Sequence, residues 1–255
     1  MAERTPGIDI SRYQTVSDWN ALAAKIKFVA IRATVGDYYT DAVFPNHWAG
    51  ADKAGVLKTA YHVIAPADTA ITRKISAEAQ MDLFFRAMGD REPDLPIVLD
   101  CELARNQTKD YITAVTARCI ELVHKKYGRM PILYTRKTWF DYYTNPHPLF
   151  PLSDLFAARY ATTLTGPWSD GYYRFRDWQD WEFWQWSESG TLPGLSPYLQ
   201  VAKQFAQQNA HLIMAIDLED VLGVEEVKAR LATFESLEGK GIDLDKASQA
   251  LASIR

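Results

Sequence analysis

Cysteine is scarce: Cys101 and Cys119 are the only two in 255 residues, and they lack metal-ligand spacing. A disulfide framework and a zinc site are thereby set aside, and two reduced, buried thiols are the expected state. Long hydrophobic runs are missing as well. No stretch approaches the ~20 apolar residues that a membrane helix needs, so a membrane is not an expected partner. The opening Met1-Ala2-Glu3-Arg4-Thr5-Pro6 carries no apolar signal region, which predicts a cytoplasmic chain unless another device releases it. Basic runs are absent too. The net charge is −4 with both signs interspersed, and phosphate binding needs clustered Lys and Arg, so nucleic acid is excluded. There is no Gly-rich phosphate loop, no Gly-x-Ser-x-Gly elbow, no His-Glu-x-x-His helix, no internal repeat and no low-complexity segment.

What is present is a regular alternation of short apolar runs and amphipathic stretches. With 47% apolar residues the chain can bury a sizeable core. Strands are predicted at 7–10, 28–33, 58–63, 97–100, 131–135, 155–160, 181–186 and 212–217, several as continuous apolar runs suited to burial on both faces. Helices fit between them: one capped by Ser17-Asp18 and running to about Lys25, one from Pro45 to near Gly55, and longer ones over about 72–89 and 107–127. The fold class is therefore α/β, an irregular TIM-like (β/α) barrel with about eight strands and fewer helices. Residues 1–223 form the expected barrel and 224–255 a short helical C-terminal extension, too small for a domain of its own.

Leu99-Asp100-Cys101-Glu102 is the most informative tetrapeptide. It closes an apolar run, and strand alternation aims Asp100 and Glu102 one way and Cys101 the other. Two carboxyls on one face repel, so one tends to hold its proton while the other ionises. Glycosidic bond cleavage requires such a pair; a surface Asp and Glu at a strand end is the plainer alternative. Asp9 and Asp217 also fall at predicted strand ends, and a closed barrel would set the first and eighth strands side by side. Acids from three strand ends would then ring one mouth.

Trp168, Trp178, Trp181, Trp184 and Trp186, with Tyr172, Tyr173 and Phe175, crowd one segment. Flat rings stack on sugars, but the same rings could fill a core; some of each is expected, with Trp186 near the rim. His62, after Tyr61, could act in catalysis or satisfy a core hydrogen bond. Tyr61, Tyr134, Tyr160 and Arg32, at or near strand ends, are candidates for orienting substrate or a carboxylate.

In order, Gly7-Ile8-Asp9-Ile10-Ser11-Arg12-Tyr13-Gln14, Phe28 to Thr34, Ala60-Tyr61-His62, Ile97 to Glu102, Pro131 to Thr135, Trp184-Gln185-Trp186 and Ile216-Asp217-Leu218 resemble the successive signatures of glycoside hydrolase family 25, the muramidases of bacteria, fungi and phages. The resemblance implies an irregular barrel that hydrolyses the β-1,4 bond between N-acetylmuramic acid and N-acetylglucosamine in peptidoglycan, with no metal or other cofactor and with retention of configuration. It implies Glu102 as proton donor and Asp100 as nucleophile or as the group steering an acetamido substituent. Asp9 and Asp217 would complete the acidic ring. The expected partner is the peptidoglycan glycan strand, and the expected setting is an endolysin-like enzyme released to the wall or a virion component. The link from Gly190 to Ala215 is longer than the family's usual one, which leaves Asp220 as an alternative to Asp217. That insertion or the 224–255 tail could contact a partner. A catalytically silent carbohydrate-binding barrel and a chitinase-like hydrolase are the competing readings.

Overall fold

The computed structural model describes residues 5–160 and 174–197. Seven parallel strands follow one another in chain order: β1 (Gly7–Ile10), β2 (Phe28–Val35), β3 (Leu57–Val63), β4 (Val98–Asp100), β5 (Ile132–Thr135), β6 (Leu155–Ala158) and β7 (Phe183–Gln185). A two-residue strand, Tyr39–Thr40, folds back antiparallel on the end of β2. The sheet curls so that side chains reach across its inner face: Phe28 of β2 and Phe183 of β7 pack ring against ring at 5.4 Å, and Gln185 donates from Nε2 to Asp9 Oδ2 at 2.8 Å. The result is an irregular α/β barrel-like fold, as the strand pattern predicts. The expected eighth strand at 212–217 and the 224–255 extension lie outside the described residues.

Helices α1 (Trp19–Ala23), α2 (Phe44–Lys53), α3 (Ala77–Met88), α4 (Lys109–Tyr127) and α5 (Lys137–Tyr143) occupy the connections. Each expected start has a physical cause. Asp18 accepts from the amides of Asn20 and Ala21, Ser76 from that of Ala79, and Thr108 from that of Tyr111, each satisfying an orphan donor of a first turn. Gly128 ends α4 in a left-handed conformation (φ 69°) that costs a glycine little. The helix expected from residue 72 begins only at Ala77, because Asp68 draws the Thr72 amide and hydroxyl into a local turn. Helix α5 was not anticipated: it is short, and its first residue is preceded by Arg136, which makes no capping bond.

Two apolar layers result from the strand alternation. Outward side chains such as Val29, Ile31, Ala60, Leu99, Cys101 and Leu133 meet Phe84, Ile120 and other helix residues in the main core. Inward side chains Ala30, Val98, Ile132, Tyr134, Phe156 and Ala158 fill the barrel, with Tyr61 and Phe183 packed on them. Both cysteines are buried and free. The inner layer is apolar toward the N-terminal ends of the strands and turns polar at their C-terminal ends. That gradient positions the site.

Candidate active site

The inner face opens at the C-terminal strand ends into a cleft of about 440 Å³ lined by Asp9, Tyr61, Asp100, Glu102 and Tyr134 above a floor of Ala30, Val98 and Phe156. Asp9 stands one residue from the end of β1, Asp100 is the last residue of β4, and Glu102 follows two residues later, beyond the strand. The peptide that carries the pair is pinned on both sides. The Ile64 amide donates to the Asp100 carbonyl at 2.9 Å, the Cys101 amide to the Tyr134 carbonyl at 2.9 Å, and the Thr135 hydroxyl to the Cys101 carbonyl at 2.7 Å. Cys101 packs outward in the helix-facing core, so Asp100 and Glu102 share the cleft as the alternation requires.

Burial dominates the electrostatics. Asp100 is 7% exposed, its Oδ1 meets no donor among the described residues, and the charges of Glu102 and Asp9 add to the penalty on its anion. Its carboxyl therefore holds a proton well above the ordinary carboxylate range, with Arg32 and Arg136 opposing the shift. Glu102 is less enclosed and is also raised by burial, against the pull of Arg136. Asp9 is raised by burial and partly relieved by its bond to Gln185. Three carboxyls in one cleft with elevated proton affinity form a site that trades stability for chemistry.

Gln185 organises the opposite wall. Its Oε1 accepts from the Tyr134 hydroxyl at 2.8 Å and the Tyr160 hydroxyl at 3.0 Å, which leaves its amide nitrogen to face Asp9. Arg136, just past β5, donates to the Tyr160 hydroxyl at 3.1 Å and lies 5.0 Å from that ring. Tyr134 and Tyr160 thus join the acids at one rim. Trp186, one residue past β7, is 53% exposed, while Phe175 and Trp178 of the same aromatic-rich segment are core. Trp168, Tyr172, Tyr173, Asp217 and Asp220 lie outside the described residues.

Arg32 takes another course. Its Nε donates at 3.0 Å to Asp41, which is fully buried, so its charge is committed to the protein while still reaching Asp100 and Tyr61. His62 is a core residue. The Ala65 amide donates to Gln80 Oε1, so that atom is the oxygen; His62 Nε2 therefore donates to it at 3.2 Å, and Nδ1 accepts the Thr34 hydroxyl at 2.7 Å. Burial holds this neutral ring down to a pKa of about 4. Sequence reasoning missed Gln185, Arg136 and Asp41. Only Gln185 left a signal, as the middle residue of Trp184-Gln185-Trp186.

The barrel and its strand-end acids share the design of the paired-carboxylate glycosidases. The chain belongs to the glycosyl hydrolases family 25, whose model matches residues 8–195. Its relatives include the protein YegX of Escherichia coli, 29% identical over 196 residues that cover 74% of this chain and 65% of that one. The chain thus spans less than two thirds of the length of YegX. The N,O-diacetylmuramidase of a Chalaropsis species is 31% identical over 189 residues, 64% of this chain and 82% of its own. Among solved structures, a muramidase from Trichobolus zukalii superposes with a TM-score of 0.64 at 28% identity, covering 80% of this chain and 98% of the other.

Proposed function

We propose that this chain is a muramidase that hydrolyses the β-1,4 bond between N-acetylmuramic acid and N-acetylglucosamine in peptidoglycan. The observation that carries the reading is the pair of buried Asp100 and half-buried Glu102 in one cleft at the strand ends of a family 25 barrel. The resemblance to proteins named muramidase and N,O-diacetylmuramidase supports the same substrate.

In this reading Glu102 protonates the leaving glycosidic oxygen as the C1–O bond breaks, and Asp100 faces the developing positive charge. In the free protein burial favours the shared proton on Asp100, whereas Arg136 favours the Glu102 anion. A bound acetamido group resolves this ordering. Its N–H donates to Asp100, stabilises that anion and leaves the proton on Glu102, where the leaving oxygen needs it. Asp100 then steers the acetamido carbonyl toward C1, or attacks C1 itself. Water completes the cycle, adding to C1 while Glu102 recovers its proton. Asp9, held by Gln185, keeps negative potential under the sugar; Tyr61, Tyr134, Tyr160 and Trp186 contact the glycan, and Asp217 completes the ring. Release to the wall after membrane breach, or carriage in a virion, is the setting we favour.

Glu102→Gln tests the assignment. Reducing ends released from purified sacculi should fall by about a hundredfold or more, with the unfolding midpoint retained. Undiminished turnover in that variant overturns the role of Glu102.

A further inference from the structure

Near the cleft, Arg12 has no carboxylate partner for its side chain among the described residues. Arg12 follows Asp9 by three residues, and its guanidinium carbon lies 5.0 Å from the ring centroid of Tyr13 and 5.0 Å from that of Tyr39. Arg32 sits near the same two rings, at 5.2 and 5.6 Å. Two guanidiniums thus share one pair of tyrosines, and one carboxylate, Asp41, serves the cluster. Asp41 accepts the Arg32 side chain and the Arg12 backbone amide at 3.0 Å each. Among the described residues the Arg12 side chain meets the Tyr13 hydroxyl, at 3.2 Å, and that of Tyr39. Its Nε is buried with no acceptor among the described residues, and no carboxylate there pairs with it.

An unsatisfied guanidinium donor calls for an acceptor from outside. The stacked rings hold the fork in place, so little ordering cost remains when an anion arrives. The position identifies the anion. Arg32 stands in register with Tyr61 of the cleft, and its guanidinium shares Tyr13 and Tyr39 with Arg12, which lies just past the strand that carries Asp9. An anion on Arg12 would therefore lie at the same strand-end rim as a sugar seated on the carboxylates. The glycosidic oxygens and hydroxyls of a glycan are neutral, whereas the substituent on muramic acid carries carboxylates.

Resting on the muramidase reading, we propose that Arg12, braced by Tyr13 and Tyr39, is a specificity-determining residue that binds a carboxylate of the lactyl-peptide substituent of muramic acid. It would select substituted, acidic glycan over plain N-acetylglucosamine polymers. A planar guanidinium takes a carboxylate through two parallel N–H bonds, which a neutral amide cannot reproduce.

The test uses the full-length chain carrying Glu102→Gln, so that ligand survives, with calorimetric titration of two ligands. One is a muropeptide tetrasaccharide bearing free-acid stem peptides; the other is the same molecule with its carboxyls amidated. The Arg12-containing chain should bind the free acid about tenfold more tightly, a ratio that narrows with added salt. Adding Arg12→Gln should erase the difference, and Arg12→Lys should restore part of it; matched unfolding midpoints confirm that the variants fold. Equal affinity for both ligands in the parent, or discrimination that survives Arg12→Gln, overturns the inference, as does failure to bind either ligand. Release of reducing ends from sacculi by the unmodified chain is measured in parallel. Its absence defeats the muramidase reading, whereas its presence with no Arg12 effect defeats only this proposal.

Discussion

The two faces of the same strands follow opposite rules. On the outer face Leu99 and Cys101 are sealed under the helices, and even the polar His62 has both ring nitrogens bonded, to Thr34 and Gln80. On the inner face, one residue away, Asp100 is also buried but keeps an oxygen without a donor among the described residues. A buried polar group that is fully bonded supports the fold, and one left open costs free energy that only a ligand can offset. Alternation along the strand lets a single backbone carry both kinds of burial without either compromising the other.

That contrast breaks most visibly in acid. His62 folds neutral with a pKa of about 4 against an ordinary 6.5, so the unfolded chain binds the extra proton as pH falls below 6.5. Its contribution is complete above that value and is lost progressively down to about pH 4, a loss of about 3 kcal/mol. Chemical denaturation across this window should show the slope, and His62→Asn should flatten it even where it lowers overall stability. An unchanged slope would mean that the ring is protonated in the fold.

The inner face should respond with the opposite sign. Asp100 has a raised pKa, so it burdens the fold as pH rises above the ordinary carboxylate value and unfolding would release the strain. Asp100→Asn should therefore raise stability at pH 7 by about 0.5–2 kcal/mol, the usual size of a stabilising substitution, while cutting turnover on sacculi. Denaturant midpoints and reducing-end assays on one preparation report both effects. A variant that loses stability along with activity would place Asp100 among the structural residues instead.

Much of this arrangement is legible in the sequence, for reasons that differ by residue. Apolar runs such as Ile132-Leu133-Tyr134 mark the strands because both their faces are covered, and parity then separates Cys101 from Asp100 and Glu102. Gln185 is less legible. An amide has meaning only when its two ends meet different partners, and those partners, Asp9 and Tyr134, lie 176 and 51 residues away. Asp41 reads as a turn residue until the strand at Tyr39–Thr40 folds it under Arg32. The aromatic-rich segment divides between Phe175 and Trp178 in the core and an exposed Trp186, a split that depends on tertiary packing.

The central claim is that Asp100 and Glu102 act as one pair in which a proton is shared and a charge is left over. Carbon-13 NMR titration of their side-chain carboxyls tests it most directly. The account predicts that both carboxyls titrate above their ordinary values of 3.8 and 4.5, with Asp100 much the higher, and that Glu102→Gln shifts the Asp100 curve downward. Two independent titrations at the ordinary values, unmoved by substitution of the partner, would contradict it.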